Sequence, residues 1–129
     1  MEIPKILESA IEKEIQKSKI SELKEEAKRL SYRYMNEKRT GESLITNEQQ
    51  AIVYSVIRMP ATYAAVTTAL KHILELTEKE EKIKIETVLD IGAGTGAGSW
   101  AIRDLINFKQ ITCIEKDVNM RKVGIKLMN

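Results

Sequence analysis

The stretch from Val88 to Gly96, Val-Leu-Asp-Ile-Gly-Ala-Gly-Thr-Gly, limits the fold of this chain more than any other. An apolar run that ends in a glycine turn and leads into a helix-forming segment reads as a β-strand handing over to a helix through a tight loop. Glycines at positions 92, 94 and 96 allow positive φ and let a ligand approach the main chain where a Cβ would collide. The helix expected from about Ala97 to Ile106 presents unpaired N–H groups and the positive end of its dipole above the turn. A polar or anionic ligand is therefore expected there.

Asp90 decides which ligand. Residues Gly92 to Ala97 satisfy the permissive G-x-G-x-x-G/A pattern of dinucleotide-binding turns, which keeps a nicotinamide or flavin enzyme open as one alternative. A carboxylate two residues before the first glycine, however, faces the place of a pyrophosphate, and like charges repel. S-adenosylmethionine has no phosphate and carries a sulfonium and an ammonium, which suit an acidic strand end. Asp90-x-Gly92-x-Gly94-x-Gly96 resembles motif I of the Rossmann-like methyltransferases, D/E-x-G-x-G-x-G.

A second strand is expected over Lys109 to Glu115, with β-branched residues and an acid at its end, followed by Lys116 and Asp117. Glu115 stands near the spacing from Asp90 at which an acid at the neighbouring strand end accepts hydrogen bonds from a ribose diol. That placement suits either cofactor. The expected cofactor-binding residues are thus Asp90, Gly92, Ala93, Gly94, Thr95, Gly96, Glu115 and Lys116. The sequence names no catalytic residue and no metal-ligand set. Cys113 is the one cysteine, which excludes an internal disulfide, and it reads as a small buried hydrophobe in mid-strand. His72, the sole histidine, lies off the apolar face of its helix and reads as a surface residue.

The 129 residues, 43% of them hydrophobic, can support one ordinary core. A doubly wound sheet of about six strands with its helices takes on the order of 180 residues, and two strands are legible here. The expected fold class is α/β: an N-terminal helical region over residues 1–82, then the first β-α-β-α part of a Rossmann-like methyltransferase sheet over 83–129, truncated. The missing C-terminal half of that domain is then the natural partner of this one. A parallel pair needs such cover, because parallel strands are normally buried on both faces. No run approaches the roughly 18 apolar residues of a membrane span, the N-terminus lacks a signal-peptide core, and the cytoplasm is the default location. A net charge of +2, spread along the chain without a block of one sign, does not by itself announce nucleic acid.

The first half reads as amphipathic helices. Pro4 suits a first helical turn, with Leu7, Ala10, Ile11 and Ile15 at helical spacing behind it. Ser21 suits the cap of a second helix with a Leu23, Ala27, Leu30, Tyr34 stripe, ended by Gly41, and Lys38 to Ser43 looks like a linker. Both helices are expected to pack on each other or on the later domain. Thr46 and Gln49 form a possible capping box for a third helix running to about Arg58. Pro60 then ends it and opens a fourth helix to about Leu76, with Met59 pushed out of helical geometry. That helix carries Tyr63, Val66, Ala69, Leu70 and Ile73 on one face, and Ala61, Ala64 and Ala65 permit close approach. A charged tract over 77–82 precedes the first strand, and the final helix, from Asp117, places Met120, Val123, Gly124 and Leu127 together.

The run Arg58-Met59-Pro60-Ala61-Thr62-Tyr63-Ala64-Ala65-Val66, followed within about thirty residues by a strand and the glycine motif, resembles the ribosomal small-subunit methyltransferase-like family. These are the bacterial and archaeal relatives of a mitochondrial small-ribosomal-subunit assembly protein. The likeness covers about Ala51 to Met128, and Trp100 belongs to it, though it also reads as helix core. The resemblance implies an S-adenosylmethionine-binding protein acting on or near the small ribosomal subunit and its rRNA, as a methyltransferase or as a noncatalytic RNA-binding assembly module. Some relatives carry a cysteine-ligated iron–sulfur cluster after these motifs, which Cys113 alone cannot hold. Arg58, beside a helix start, is placed to meet a carboxylate or phosphate, and Tyr63 is placed to cover the cofactor with its hydroxyl in water; packing between the helical part and the sheet is the alternative for both. Acceptor-side groups in this architecture usually follow the fourth strand, so the chain alone is expected to be inactive.

Overall fold

The computed structural model describes residues 2–36, 44–77 and 84–129. In chain order it forms α1 (Lys5–Gln16), α2 (Ile20–Asn36), α3 (Glu48–Ile57), α4 (Met59–Thr77), β1 (Thr87–Ile91), α5 (Ala97–Leu105), β2 (Gln110–Ile114) and α6 (Val118–Met128). A helical N-terminal region thus precedes a β-α-β-α unit, the α/β pattern of a partial Rossmann-like sheet. The Gly41 helix end, the linker-like stretch to Ser43, the charged tract after Thr77 and the boundary at 82–83 lie outside the described residues.

In α1, Leu7 and Ile11 are buried where helical spacing aims them at the core. Pro4 is the N-cap rather than part of the first turn, and its carbonyl accepts the Glu8 N–H at 2.9 Å. Ser21 does not cap α2 either. The helix starts one residue earlier, and the Lys19 carbonyl already accepts the N–H groups of Glu22 and Leu23. Leu23 and Leu30 are buried, but Tyr34 is exposed because it opens into a groove beside the end of α3.

The cap of α3 shows tertiary burial overriding a local pattern. Its N-cap is Asn47, whose side chain accepts from the Gln50 N–H at 2.8 Å, while Gln50 Oε1 reaches back to the Thr46 N–H at 3.0 Å. The box is therefore one residue later than Thr46 and Gln49 suggest. Gln50 is 1% exposed and must have partners; its Nε2 donates to the buried Glu26 at 2.7 Å. Gln49 instead donates to Ser18 and Glu22 on the first two helices' side.

Arg58 ends α3 and Met59 starts α4, so Pro60 is the second helical residue and Met59 stays helical. Proline costs no hydrogen bond there, since first-turn N–H groups lack intrahelical partners, and full burial of Met59 holds it in place. Met59, Tyr63 and Thr67 form the buried face of α4, whereas Ala69 and Ile73 are exposed, contrary to the expected stripe. This face meets α5, where Ala97 and Ala101 are buried. Close approach is thus provided from α5 and not by Ala61 and Ala65, which are exposed.

β1 and β2 pair in parallel with Asp90 opposite Cys113. Val88, Asp90 and Ile111 are partly covered, while Leu89, Ile91 and Ile114 on the other face are 57%, 74% and 51% exposed. Cys113 is exposed, not buried as its mid-strand position suggests, because β2 is an edge strand among the described residues. α6 is capped by Asp117, which accepts the N–H groups of Asn119 and Met120 at 2.9 Å, and it buries Met120, Val123, Gly124 and Leu127. It packs on α1 and α3, so the helical half and the β-α-β-α unit share one core that includes Leu7, Met59, Trp100 and Val123. Among the described residues no helix is long and apolar enough to cross a membrane.

Candidate cofactor site

The turn leaving β1 needs its glycines: φ is 74° at Gly92, 58° at Gly94 and 102° at Gly96, where a side chain would be strained. The Gly92 and Ala93 N–H groups both donate to the Ile114 carbonyl, at 2.8 and 3.0 Å. Gly94 donates its N–H to Glu115 Oε1 at 2.9 Å, and Asp117 donates to Oε2 at 2.8 Å. Arg121 adds a bond to the Glu115 carbonyl at 2.7 Å. The end of β2 is in this way tied to the turn that follows β1. Gly96 is the left-handed N-cap of α5, and no side chain caps the helix start, which is buried with Met128 over Gly96.

Asp90 Oδ2 accepts the Ser99 hydroxyl at 2.7 Å, and Ser99 Oγ lies 3.1 Å from Cys113 Sγ. A Cβ at Gly98 would stand 3.4 Å from the same carboxylate oxygen, an ordinary contact distance, so Asp90 lies against the first turn of α5. Asp90 faces the same side of the sheet as Cys113, its partner in register, and Glu115 is two residues further along. Both acids therefore stand on one face, flanking the glycine turn.

A cavity of about 150 Å³ lies between the turn, β2 and α6, lined by Gly94, Gly96, Cys113, Glu115, Arg121 and Met128 among others. A Cβ at Gly96 would stand 2.7 Å from Met128 Cε and 4.0 Å from Trp100 Nε1. That indole nitrogen is buried and has no hydrogen-bond partner. Of the two acids, Glu115 lines this cavity, with Arg121 beside it, whereas Asp90 and Trp100 are not among its lining residues. Glycine backbone and one carboxylate suit the ribose part of a nucleoside ligand, and Asp90 stands outside the cavity on the same face. Small-molecule sites usually offer about 300–1,000 Å³, so the cavity takes only part of such a ligand, and flexible Met128 is the wall that can give.

The other expected contacts lie elsewhere. Lys116 is exposed between β2 and α6 and does not line the cavity. Tyr63 does not cover the turn: its ring is buried between α4 and α5, and its hydroxyl, expected in water, donates to Asp104 Oδ2 at 2.5 Å. Burial first, then the Asp104 bond and charge, raises its ionisation above the ordinary tyrosine value. Arg58 is exposed beside a groove shared with Tyr34 and Tyr54. Met59 is the residue of that run which reaches the turn, accepting from the buried Thr95 hydroxyl at 3.5 Å. Ser99, Arg121 and Met59 were not legible as site residues. Asp117 was, in principle, since an Asp just before an apolar helical stripe is a cap signal.

Two parallel strands joined through a glycine turn and a helix form an α/β pattern consistent with part of a Rossmann-like sheet. Residues 48–129 match the family described as mitochondrial small ribosomal subunit Rsm22. The chain belongs to the Rsm22 family, a methyltransferase-like family. The matched range begins at α3 and takes in the whole α3–α4 corner together with the turn, the two elements that the Met59–Thr95 contact joins. No curated protein matches the chain.

Proposed function

We propose that this protein binds S-adenosylmethionine at the glycine turn and serves the small ribosomal subunit as an RNA-directed methyltransferase-like factor. The observation that carries the reading is the placement of Asp90 and Glu115 on one face around a turn of three positive-φ glycines. Two carboxylates disfavour a pyrophosphate and favour a ligand with cationic groups. Family membership supplies the link to the small ribosomal subunit.

When bound, S-adenosylmethionine supplies an already activated methyl group, so the protein's task is orientation. Asp90, held by Ser99, sets negative charge at the end of β1 for the methionine end. Glu115 retains acceptor capacity beyond its two backbone donors, because a carboxylate offers about four lone-pair sites, and a ribose diol suits it. The first-turn N–H groups of α5, which no side chain caps, are further donors.

A second reading, the noncatalytic assembly module, is favoured by one detail. Both Glu115 oxygens already accept backbone N–H groups, which is also what a purely structural acid would do. Incubation of the full-length protein with methyl-labelled S-adenosylmethionine and small-subunit RNA tests the two. Label incorporation that disappears in Asp90→Ala supports methyl transfer; RNA binding without incorporation supports the assembly module.

A further inference from the structure

A groove of about 430 Å³ lies between α2 and the end of α3, lined by Leu30, Tyr34, Met35, Tyr54, Ile57 and Arg58 among others. Tyr34 is 44% exposed and Met35 84%, so apolar and aromatic surface faces outward on one wall, with half-buried Tyr54 on the other. Arg58 is the charged residue in that lining, and no acid belongs to it. Lys28, Arg29 and Arg33 of α2 line a separate groove with Tyr32, and Arg29 and Arg33 are already engaged by Glu26, Gln50 and the Leu44 carbonyl. From Gln49 to Leu74, which covers α3 after its first residue Glu48 and most of α4, the sequence has no acid. Arg58 is exposed just before the N-terminus of α4.

Ionisation of Tyr54 is raised above the ordinary tyrosine value by burial first and then by Tyr34, lowered by Arg58, and raised by Glu115. Aromatic faces beside an exposed cation, with no acid in the lining, match a ligand that alternates flat bases with phosphates.

We propose that the groove between α2 and α3 seats an unpaired nucleotide of single-stranded RNA, its base against Tyr34 and Tyr54 and its phosphate at Arg58. The inference rests on the reading of the protein as an RNA-directed factor, and names a surface on which it holds RNA.

The test uses the whole chain and a short single-stranded RNA carrying 4-thiouridine. Crosslinking of the unaltered protein should mark peptides containing Tyr34 or Tyr54; crosslinks confined to other surfaces overturn the proposal. In anisotropy titrations Tyr54→Leu should weaken binding about tenfold, the scale of one lost base stack. Arg58→Gln should lower the slope of log affinity against log salt by about 0.7, as for one phosphate contact on a single strand. Circular dichroism checks that each variant is folded, and the crosslinking requires no variant. Unchanged affinity and slope in both folded variants, or a groove that takes up a ribosomal protein while ignoring RNA, contradict the proposal. S-adenosylmethionine titration of the same samples keeps the two readings apart. Groove-dependent RNA binding without cofactor binding upholds the groove alone, and cofactor binding with groove-independent RNA binding removes the groove alone.

Discussion

Glu115 Oε1 accepts the backbone N–H of Gly94 at 2.9 Å, so the acid that ends β2 holds the turn that leaves β1. Its second oxygen holds the Asp117 N–H and thereby the start of α6. Glu115→Ala strands both partly buried donors and is expected to lower unfolding free energy by on the order of 2 kcal/mol in urea titrations. Glu115→Gln keeps one acceptor and should lose roughly half of that. Equal stability of all three proteins would show that the tie contributes nothing.

Gly124 sets how closely α6 approaches the same turn. A Cβ there would stand 3.3 Å from the Thr95 carbonyl oxygen and 3.4 Å from that of Gly94, and both are backbone atoms that cannot swing aside. In an open helix Gly→Ala gains roughly 0.5–1 kcal/mol. Here Gly124→Ala is expected to destabilise by about 1 kcal/mol, because crowding a packed contact outweighs the propensity gain. Thermal unfolding reads the sign directly.

Tyr63→Phe separates packing from ligand contact. Removing the hydroxyl deletes its bond to Asp104 and should lower stability by about 1 kcal/mol, with the ring still filling the α4–α5 interface. S-adenosylmethionine affinity is expected to stay within about twofold of the parent, a difference of roughly 0.4 kcal/mol. A large loss of affinity in the folded variant would return Tyr63 to the cofactor site.

Glu26 makes the helical half sensitive to acid. Buried at 7% exposure, it accepts from Gln50, Asn47 and Arg29. The Gln50 bond above all, opposed by burial and aided by Asn47, Arg29 and Arg33, holds its carboxyl below the ordinary glutamate value. A depressed carboxylate stabilises the fold fully above its unfolded pKa and ceases to do so as pH falls through the folded one. Stability should therefore be flat near neutrality and fall below the ordinary glutamate range. Glu26→Gln should be less stable at pH 7 and show a shallower acid limb in urea titrations across pH.

Local chemistry made the β-α-β-α unit legible. The glycine turn, the two strand-end acids and the α6 stripe of Met120, Val123, Gly124 and Leu127 depend on residues near one another in the chain, and each is found where its spacing puts it. Features set by distant partners were not legible. The α3 cap moved to Asn47 because buried Gln50 had to satisfy Glu26, 24 positions away. Tyr63 turned inward because Asp104, 41 positions on, offered its hydroxyl a partner. Cys113 came out exposed because β2 is an edge strand among the described residues, a matter of sheet order that a mid-strand position does not encode.

Isothermal titration of the chain with S-adenosylmethionine and, separately, with NAD tests the cofactor assignment most directly. Saturable binding of S-adenosylmethionine, lost in Asp90→Asn and weakened in Glu115→Gln, with no heat from NAD, is the expected result. Binding of NAD without binding of S-adenosylmethionine would contradict it, because two carboxylates around the glycine turn would then be tolerating a pyrophosphate.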